Sequence, residues 1–115
     1  MQYKEYFYIG HYVDTEGNYV LKIGTTDNLD RRAKEHNRNY ARAKTHSLGI
    51  GEEFTYDWWI PLSKYNTLRV EDNTRDSFIF CGFGHFVAND RFVFPMAEKP
   101  THLYIGVRKS YRVAL

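Results

Sequence analysis

Cysteine occurs once in this 115-residue chain, at Cys81, and proline three times. A lone thiol excludes an internal disulfide framework and a cysteine-built zinc site, and it fits a reducing compartment. The histidines His11, His36, His46, His85 and His102 nowhere stand in pairs at metal-ligand spacing, which also argues against zinc. No apolar run reaches about 18 residues, and the N-terminus lacks the basic start and apolar core of a signal peptide. The expectation is a soluble, non-secreted, cytoplasmic protein. No internal repeat, low-complexity tract or linker interrupts the chain. Its length suits one domain over 1–115 with a core of its own, and 43% hydrophobic and 17% aromatic content excludes disorder.

What is present is concentrated between Val20 and His46. Val20, Leu21 and Ile23 are strand-forming residues ended by Gly24. Thr26, Asp27 and Asn28 then supply the side chains that accept hydrogen bonds from the free N–H groups of a starting helix. A helix from about Asn28 would place Leu29, Arg32, Ala33, His36, Tyr40 and Ala43 on one face and Arg31, Lys34, Arg38 and Arg42 on the other. Arg32 and His36 are thus four residues apart on an otherwise apolar face, where an unpaired charge is costly and implies a partner or a site. The formal net charge of +2 says nothing about partners, but its distribution does. From Arg31 to His46 six cations face Glu35 alone, giving +5 and leaving −3 elsewhere. A basic stripe with Tyr40 interleaved suits a phosphate backbone. The plain alternative is a solvated helix face.

Taken in order, Tyr3 to Val13 reads as a strand, Asp14 to Asn18 as a hairpin loop and Tyr19 to Ile23 as the antiparallel return. Ser47 to Gly51 reads as a flexible loop and Glu52-Glu53 as a solvated loop pair. Phe54 to Ile60 alternates as a third strand that Pro61 ends. A second helix is expected from Tyr65 or Asn66 to Cys81, with Leu68, Glu71, Asp72, Arg75, Phe78 and Ile79 on one side and Gly82-Phe83-Gly84 as the stop. Cys81 is expected to be a buried, inert thiol. Arg91 to Phe94 and His102 to Val113 read as further short strands. This order predicts an α+β fold: a small central antiparallel sheet, three core strands plus C-terminal strands, flanked by helices.

The hairpin with tyrosines, the Gly-Thr turn, the helix with Arg32 then His36, the third strand and the helix with Glu71 resemble, in that order, the GIY-YIG endonuclease superfamily. The branch in question has a second motif reading Lys-Ile-Gly. The resemblance covers about 3–94, leaving 95–115 as an extra strand region or a dimer contact. Tyr6-Phe7-Tyr8 stands where Gly-Ile-Tyr would be, so Tyr8 matches the functional tyrosine while Tyr6 departs from the glycine. Lys22-Ile23-Gly24 stands for Tyr-Ile-Gly, with Lys22 replacing the tyrosine. Arg32 matches the helix arginine, His36 the histidine one turn later, Glu71 the metal-binding glutamate and Asn89 the late asparagine. The literal strings Tyr8-Ile9-Gly10 and Tyr104-Ile105-Gly106 are decoys, because no arginine-bearing helix follows the second and the first lies in the opening strand.

The resemblance implies a metal-dependent endonuclease that hydrolyses nucleic acid, DNA rather than RNA, with Mg²⁺ or Mn²⁺ at Glu71. Phosphodiester cleavage needs an activated water, charge stabilisation on the phosphoryl oxygens and support for the leaving oxygen. Arg32 would clamp the scissile phosphate, and Tyr8, beside a cation, or a partly desolvated Lys22 would activate the water. His36 would bind phosphate or shuttle a proton. Arg31, Lys34, Arg38, Arg42, His46 and Asn89 would hold the nucleic acid. The bland readings are a structural ion pair of Arg32 with Asp72 or Glu71, a core histidine and a surface glutamate. Rival functions are a catalytically silent nucleic-acid-binding module of the same fold and a protein-interaction domain using Trp58 and Trp59. With no room for a recognition domain, specificity is expected to be low, or to come from the loop at His46 to Glu53, a homodimer or a partner protein.

Overall fold

The computed structural model describes residues 5–40, 49–62, 67–105 and 111–115. Strand β1, Glu5–Asp14, divides the molecule, because its alternate side chains are buried on both sides: Phe7 and Ile9 on one face, Tyr8 and Tyr12 on the other. A strand covered on both faces has to be apolar or aromatic almost throughout, and this one is. The turn after it is built by Asp14, whose carboxylate accepts from the backbone N–H groups of Glu16 and Asn18, each at 2.9 Å. The chain returns antiparallel as β2, Tyr19–Thr26.

On the other side of β1 lies β3, Ile50–Leu62; beyond β2 lie β5, Arg91–Phe94, and then β4, His85–Val87. The sheet order is β3-β1-β2-β5-β4, antiparallel at every step. Helix α1, Leu29–Asn39, packs Leu29, Ala33 and His36 on the Tyr8 face. Helix α2, Thr67–Phe80, packs Val70 and Phe78 on the Phe7 face. A short 3-10 turn at Met96–Glu98 leads to a separate two-stranded hairpin of β6, His102–Ile105, and β7, Tyr111–Ala114. Leu103, Ile105 and Val113 of that hairpin close the α2 side of the core.

The α+β architecture and the helix start at Asn28 agree with the sequence reading: the Asn28 side chain accepts from Arg31 N–H at 3.0 Å. Helix α1 ends at Asn39, with Tyr40 as its cap. Several boundaries differ. Gly24 does not end β2, which runs on to Thr26; a Cβ at Gly24 would lie 2.5 Å from the Tyr8 hydroxyl, so glycine is there to admit that ring. Pro61 does not end β3 either, since β3 is an edge strand and can spare an N–H. Ile50 and Gly51 are strand, and Glu52-Glu53 is an exposed part of it, because this segment pairs with Val13 and Asp14 of β1. Ser47 and Leu48 lie outside the described residues.

Among the described residues the central sheet holds five strands. β4 escaped the sequence reading, and the strands after Phe94 form their own hairpin. Helix α2 is stopped as expected, with Gly82 at φ +66 and the Phe83 N–H donating to the Phe78 carbonyl at 2.9 Å. Its buried stripe is Val70, Thr74 and Phe78, so Ile79 and Asp72 are exposed rather than inward. Cys81 is exposed, being just past the helix end on its outer side. Trp58 and Trp59 face opposite ways: Trp58 packs on the apolar core, while Trp59 is 48% exposed against Tyr6. No described helix is long and apolar enough to cross a membrane.

Candidate active site

Strand β5 pairs with β2 only over Tyr19 to Lys22, so the outer edge of β2 from Ile23 onward is left without a strand partner. Side chains from both helices reach this gap. From α2, on the apolar face, Glu71 reaches around to accept a hydrogen bond from the Thr25 hydroxyl at 3.1 Å. From α1, on the opposite face, Arg32 approaches Tyr8. The turn between β4 and β5 brings Asn89 and Asp90. Together with Lys22 these surround a cleft of about 450 Å³, whose remaining walls include Tyr40 and Arg91.

Lys22 is only 4% exposed, and its ammonium donates to the Asn89 carbonyl at 2.5 Å. Burial lowers its pKa to about 8; Asp90 and Glu71 oppose that shift, while Arg32 and Arg91 add to it. Burial raises the Glu71 carboxyl to about 7, the neighbouring Asp90 carboxyl adds to this, and Lys22 pulls the other way. At neutral pH the cleft therefore holds an amine and a carboxyl that both exchange protons readily, whose titrations belong to the group as a whole.

Arg32 has a one-third exposed side chain and donates to Glu35, one turn on, at 3.1 Å. Its ion pair is thus with Glu35 rather than Asp72 or Glu71; Asp72 is engaged by Arg75 at 3.2 Å. Arg32 also lies beside Tyr8, whose charged form it would favour. The Tyr8 hydroxyl in turn lies 2.6 Å from His36 Nε2. The other ring nitrogen of His36, Nδ1, is buried without a hydrogen-bond partner. Burial first, then Lys22, Arg32 and Arg91, pull His36 down to about 3, so it is neutral throughout the physiological range. Tyr8 is pushed well above its usual value by burial. Both side chains are fully buried, and in these protonation states neither carries charge.

The fold thus gathers Tyr8, Lys22, Arg32, His36, Glu71 and Asn89 in one place from five separate elements. Arg31, Lys34 and Arg38 are exposed on the outer side of α1, away from this cluster, and Arg31 pairs with Asp27 and Glu35. Arg42 and His46 lie outside the described residues. Sequence reasoning missed Thr25, Asp90 and Arg91. An Asn-Asp pair ahead of a strand that opens on arginine was the available signal, since these are the non-glycine residues that best tolerate a left-handed turn.

The oxygen donors that the cleft offers a cation include the Glu71 and Asp90 carboxyls, both in its lining, and the Thr25 hydroxyl bonded to Glu71. Among the described residues no group of three or more His, Cys, Asp or Glu side chains gathers at metal-ligand distance. One or two carboxylates, with water and substrate phosphate completing the shell, is the small oxygen set that suits Mg²⁺ or Mn²⁺.

The T5orf172 domain matches residues 5–81, which carry Tyr8, Lys22, Arg32, His36 and Glu71, and the chain belongs to that family. It is a nuclease-like domain of phage and bacterial proteins, related to GIY-YIG. Neither a curated protein nor a solved structure matches the chain.

Proposed function

We propose that this member of the T5orf172 domain family hydrolyses phosphodiester bonds of nucleic acid, DNA rather than RNA, with Mg²⁺ or Mn²⁺ held at Glu71. The observation that carries the reading is the convergence of Lys22, Arg32 and Glu71 on one cleft from β2, α1 and α2. A cluster of this composition is costly to bury, and a structural role would not require it. Arg32, exposed enough to be reached, binds the scissile phosphate and takes up the charge that builds on its oxygens. Lys22, in its neutral form, accepts the proton of the attacking water as the new P–O bond forms and the bridging P–O bond breaks. Tyr8 holds Arg32 in place, and His36 holds Tyr8. Glu71, with Asp90 and Thr25 near it, would hold a divalent cation whose positive charge would support the leaving oxygen. The exposed Lys34 and Arg38 extend the phosphate-binding surface along α1.

The test is incubation of the purified protein with supercoiled plasmid and with single-stranded DNA, in Mg²⁺, Mn²⁺ or EDTA. Cutting in either metal that stops in EDTA and in folded Glu71→Ala and Arg32→Ala variants supports the reading. Salt-sensitive DNA binding with no cutting in any metal transfers the function to a silent binding module, and neither binding nor cutting removes nucleic acid altogether.

A further inference from the structure

Lys22 and Arg91 stand directly opposite one another in the β2–β5 ladder, and each is only 4% exposed. Two cations facing across a ladder repel, so a fold that keeps them gains something from the second. The contacts of Arg91 turn inward. Its Nε donates to the Ala88 carbonyl at 3.1 Å, its Nη1 donates to the Tyr12 hydroxyl at 2.9 Å, and its guanidinium lies 4.2 Å over the Tyr40 ring. These bonds anchor it to β1, to the end of α1 and to the turn that precedes it.

That turn is strained. Asn89 at φ 58 and Asp90 at φ 55 are successive residues in the left-handed region, which side chains disfavour and which persists only where the surroundings impose it. Its three carbonyls are each held: Ala88 by Arg91, Asn89 by the Lys22 ammonium at 2.5 Å and Asp90 by the Ile23 N–H at 3.2 Å. The first of these is made from within the turn's own hairpin, so Arg91 sets the conformation that the other two depend on.

We propose that Arg91 is a positioning residue: it clamps the Ala88–Asp90 turn, fixing the Asn89 carbonyl that holds Lys22 and the Asp90 carboxyl that lines the cleft with Glu71. Its catalytic consequence rests on the nuclease reading above, whereas the clamp itself does not. An arginine that bound substrate phosphate through the same atoms would have to give up Ala88 or Tyr12.

The experiment measures amide hydrogen exchange at Ile23 relative to Ile9, its partner in the β1–β2 ladder, together with kcat and KM for DNA cleavage. It compares wild type with Arg91→Met, which keeps the stem, and with Arg91→Lys. In Arg91→Met the Ile23 amide should exchange about tenfold faster relative to Ile9, as expected when one anchoring hydrogen bond is lost. In the same variant kcat should fall about tenfold or more with KM within about twofold. Arg91→Lys, a point charge without the fork, should restore only part of either. An unchanged Ile23-to-Ile9 ratio overturns the clamp whatever the cleavage assay gives. A rise in KM at constant kcat also overturns it, by making Arg91 a substrate-binding group. If the wild type cuts nothing while the Ile23 ratio rises, the clamp stands and only the nuclease reading falls.

Discussion

The two faces of the sheet are built from the same strands and held by different physics. The face under α2 is a continuous apolar cluster in which Phe7, Ile9, Leu21, Ile23 and Phe92 meet Val70 and Phe78 and are closed by Leu103, Ile105 and Val113. Removing that surface from water stabilises the fold without regard to direction. The face under α1 is aromatic and polar: Tyr8, Tyr40 and Phe54 surround His36, Tyr12 lies behind Tyr40, and Lys22 and Arg91 stand at its edge. There the rings stack, Tyr12 on Tyr40 and Tyr40 on His36, and the hydroxyls take up specific cations and an imidazole. One face supplies stability that leaves a surplus; the other spends some of it keeping charged groups dry and aimed.

This division predicts that activity and stability separate by face. The largest effect is expected for Arg32→Ala and Glu71→Ala, where loss of a charge-stabilising group should lower the cleavage rate by about 10²–10³-fold, read in a plasmid-nicking time course. Their melting temperatures should stay close to wild type, because neither side chain belongs to the apolar cluster. Phe7→Ala, one residue from Tyr8 but on the opposite face, should do the reverse. It should cost about 3–5 kcal/mol in a denaturant titration while the folded fraction cuts at the wild-type rate. If Phe7→Ala lost activity without losing stability, the separation of the two faces would be wrong.

How much of this was legible in the sequence follows the same line. The run of Tyr, Phe and Ile from Tyr3 to Val13, the Asp14 to Asn18 turn residues and the cap at Asn28 are local, and both hairpin and helix could be read from them. The stripe of α1 was legible for the same reason: Arg32 and His36 stand out against Leu29, Ala33 and Tyr40. The stripe of α2 was not, because its buried members include Thr74 while Ile79 and the 91% exposed Phe80 are apolar residues left outside. β4 has three residues after a glycine turn and carries no period of its own. Asp90 and Arg91 join the cleft only because β5 pairs with β2 at Lys22, a contact between positions 69 residues apart that no local pattern encodes.

A pH titration of stability sharpens the comparison from the polar face alone. The imidazole of His36 falls to about 3 in the folded state, chiefly through burial, against an ordinary 6.5. Its folded pKa is depressed, so between these values the unfolded chain takes up a proton that the folded chain refuses. The stability this group contributes is present above about pH 6.5 and is lost steadily as the pH falls towards 3. Chemical denaturation across that range should show a slope near 1.4 kcal/mol per pH unit from this residue. His36→Gln, which keeps an acceptor for Tyr8, should remove that component of the slope. An unchanged slope would mean that acid unfolding is driven from elsewhere.

The smallest effect concerns the outer side of α1, which belongs to neither buried face. Lys34 and Arg38 point into solvent there, and neither engages a carboxylate at ion-pair distance among the described residues. If they only solvate the helix, replacing either with alanine changes nothing beyond a few tenths of a kcal/mol. If they hold a phosphate backbone, each releases a counterion on binding. The slope of log binding constant against log salt for duplex DNA should then fall by about 0.9 per residue removed. Arg31 is the internal control: Asp27 and Glu35 already take up its charge, so Arg31→Ala should lower the slope less than Lys34→Ala or Arg38→Ala does. Equal reductions at all three positions would show that the bound phosphates pull Arg31 away from its partners, which the wild type can report as weaker Arg31 pairing when DNA is added. No reduction at any of them would confine binding to the cleft itself, and Arg32, reached from the solvent side, would then be the first cation the substrate meets.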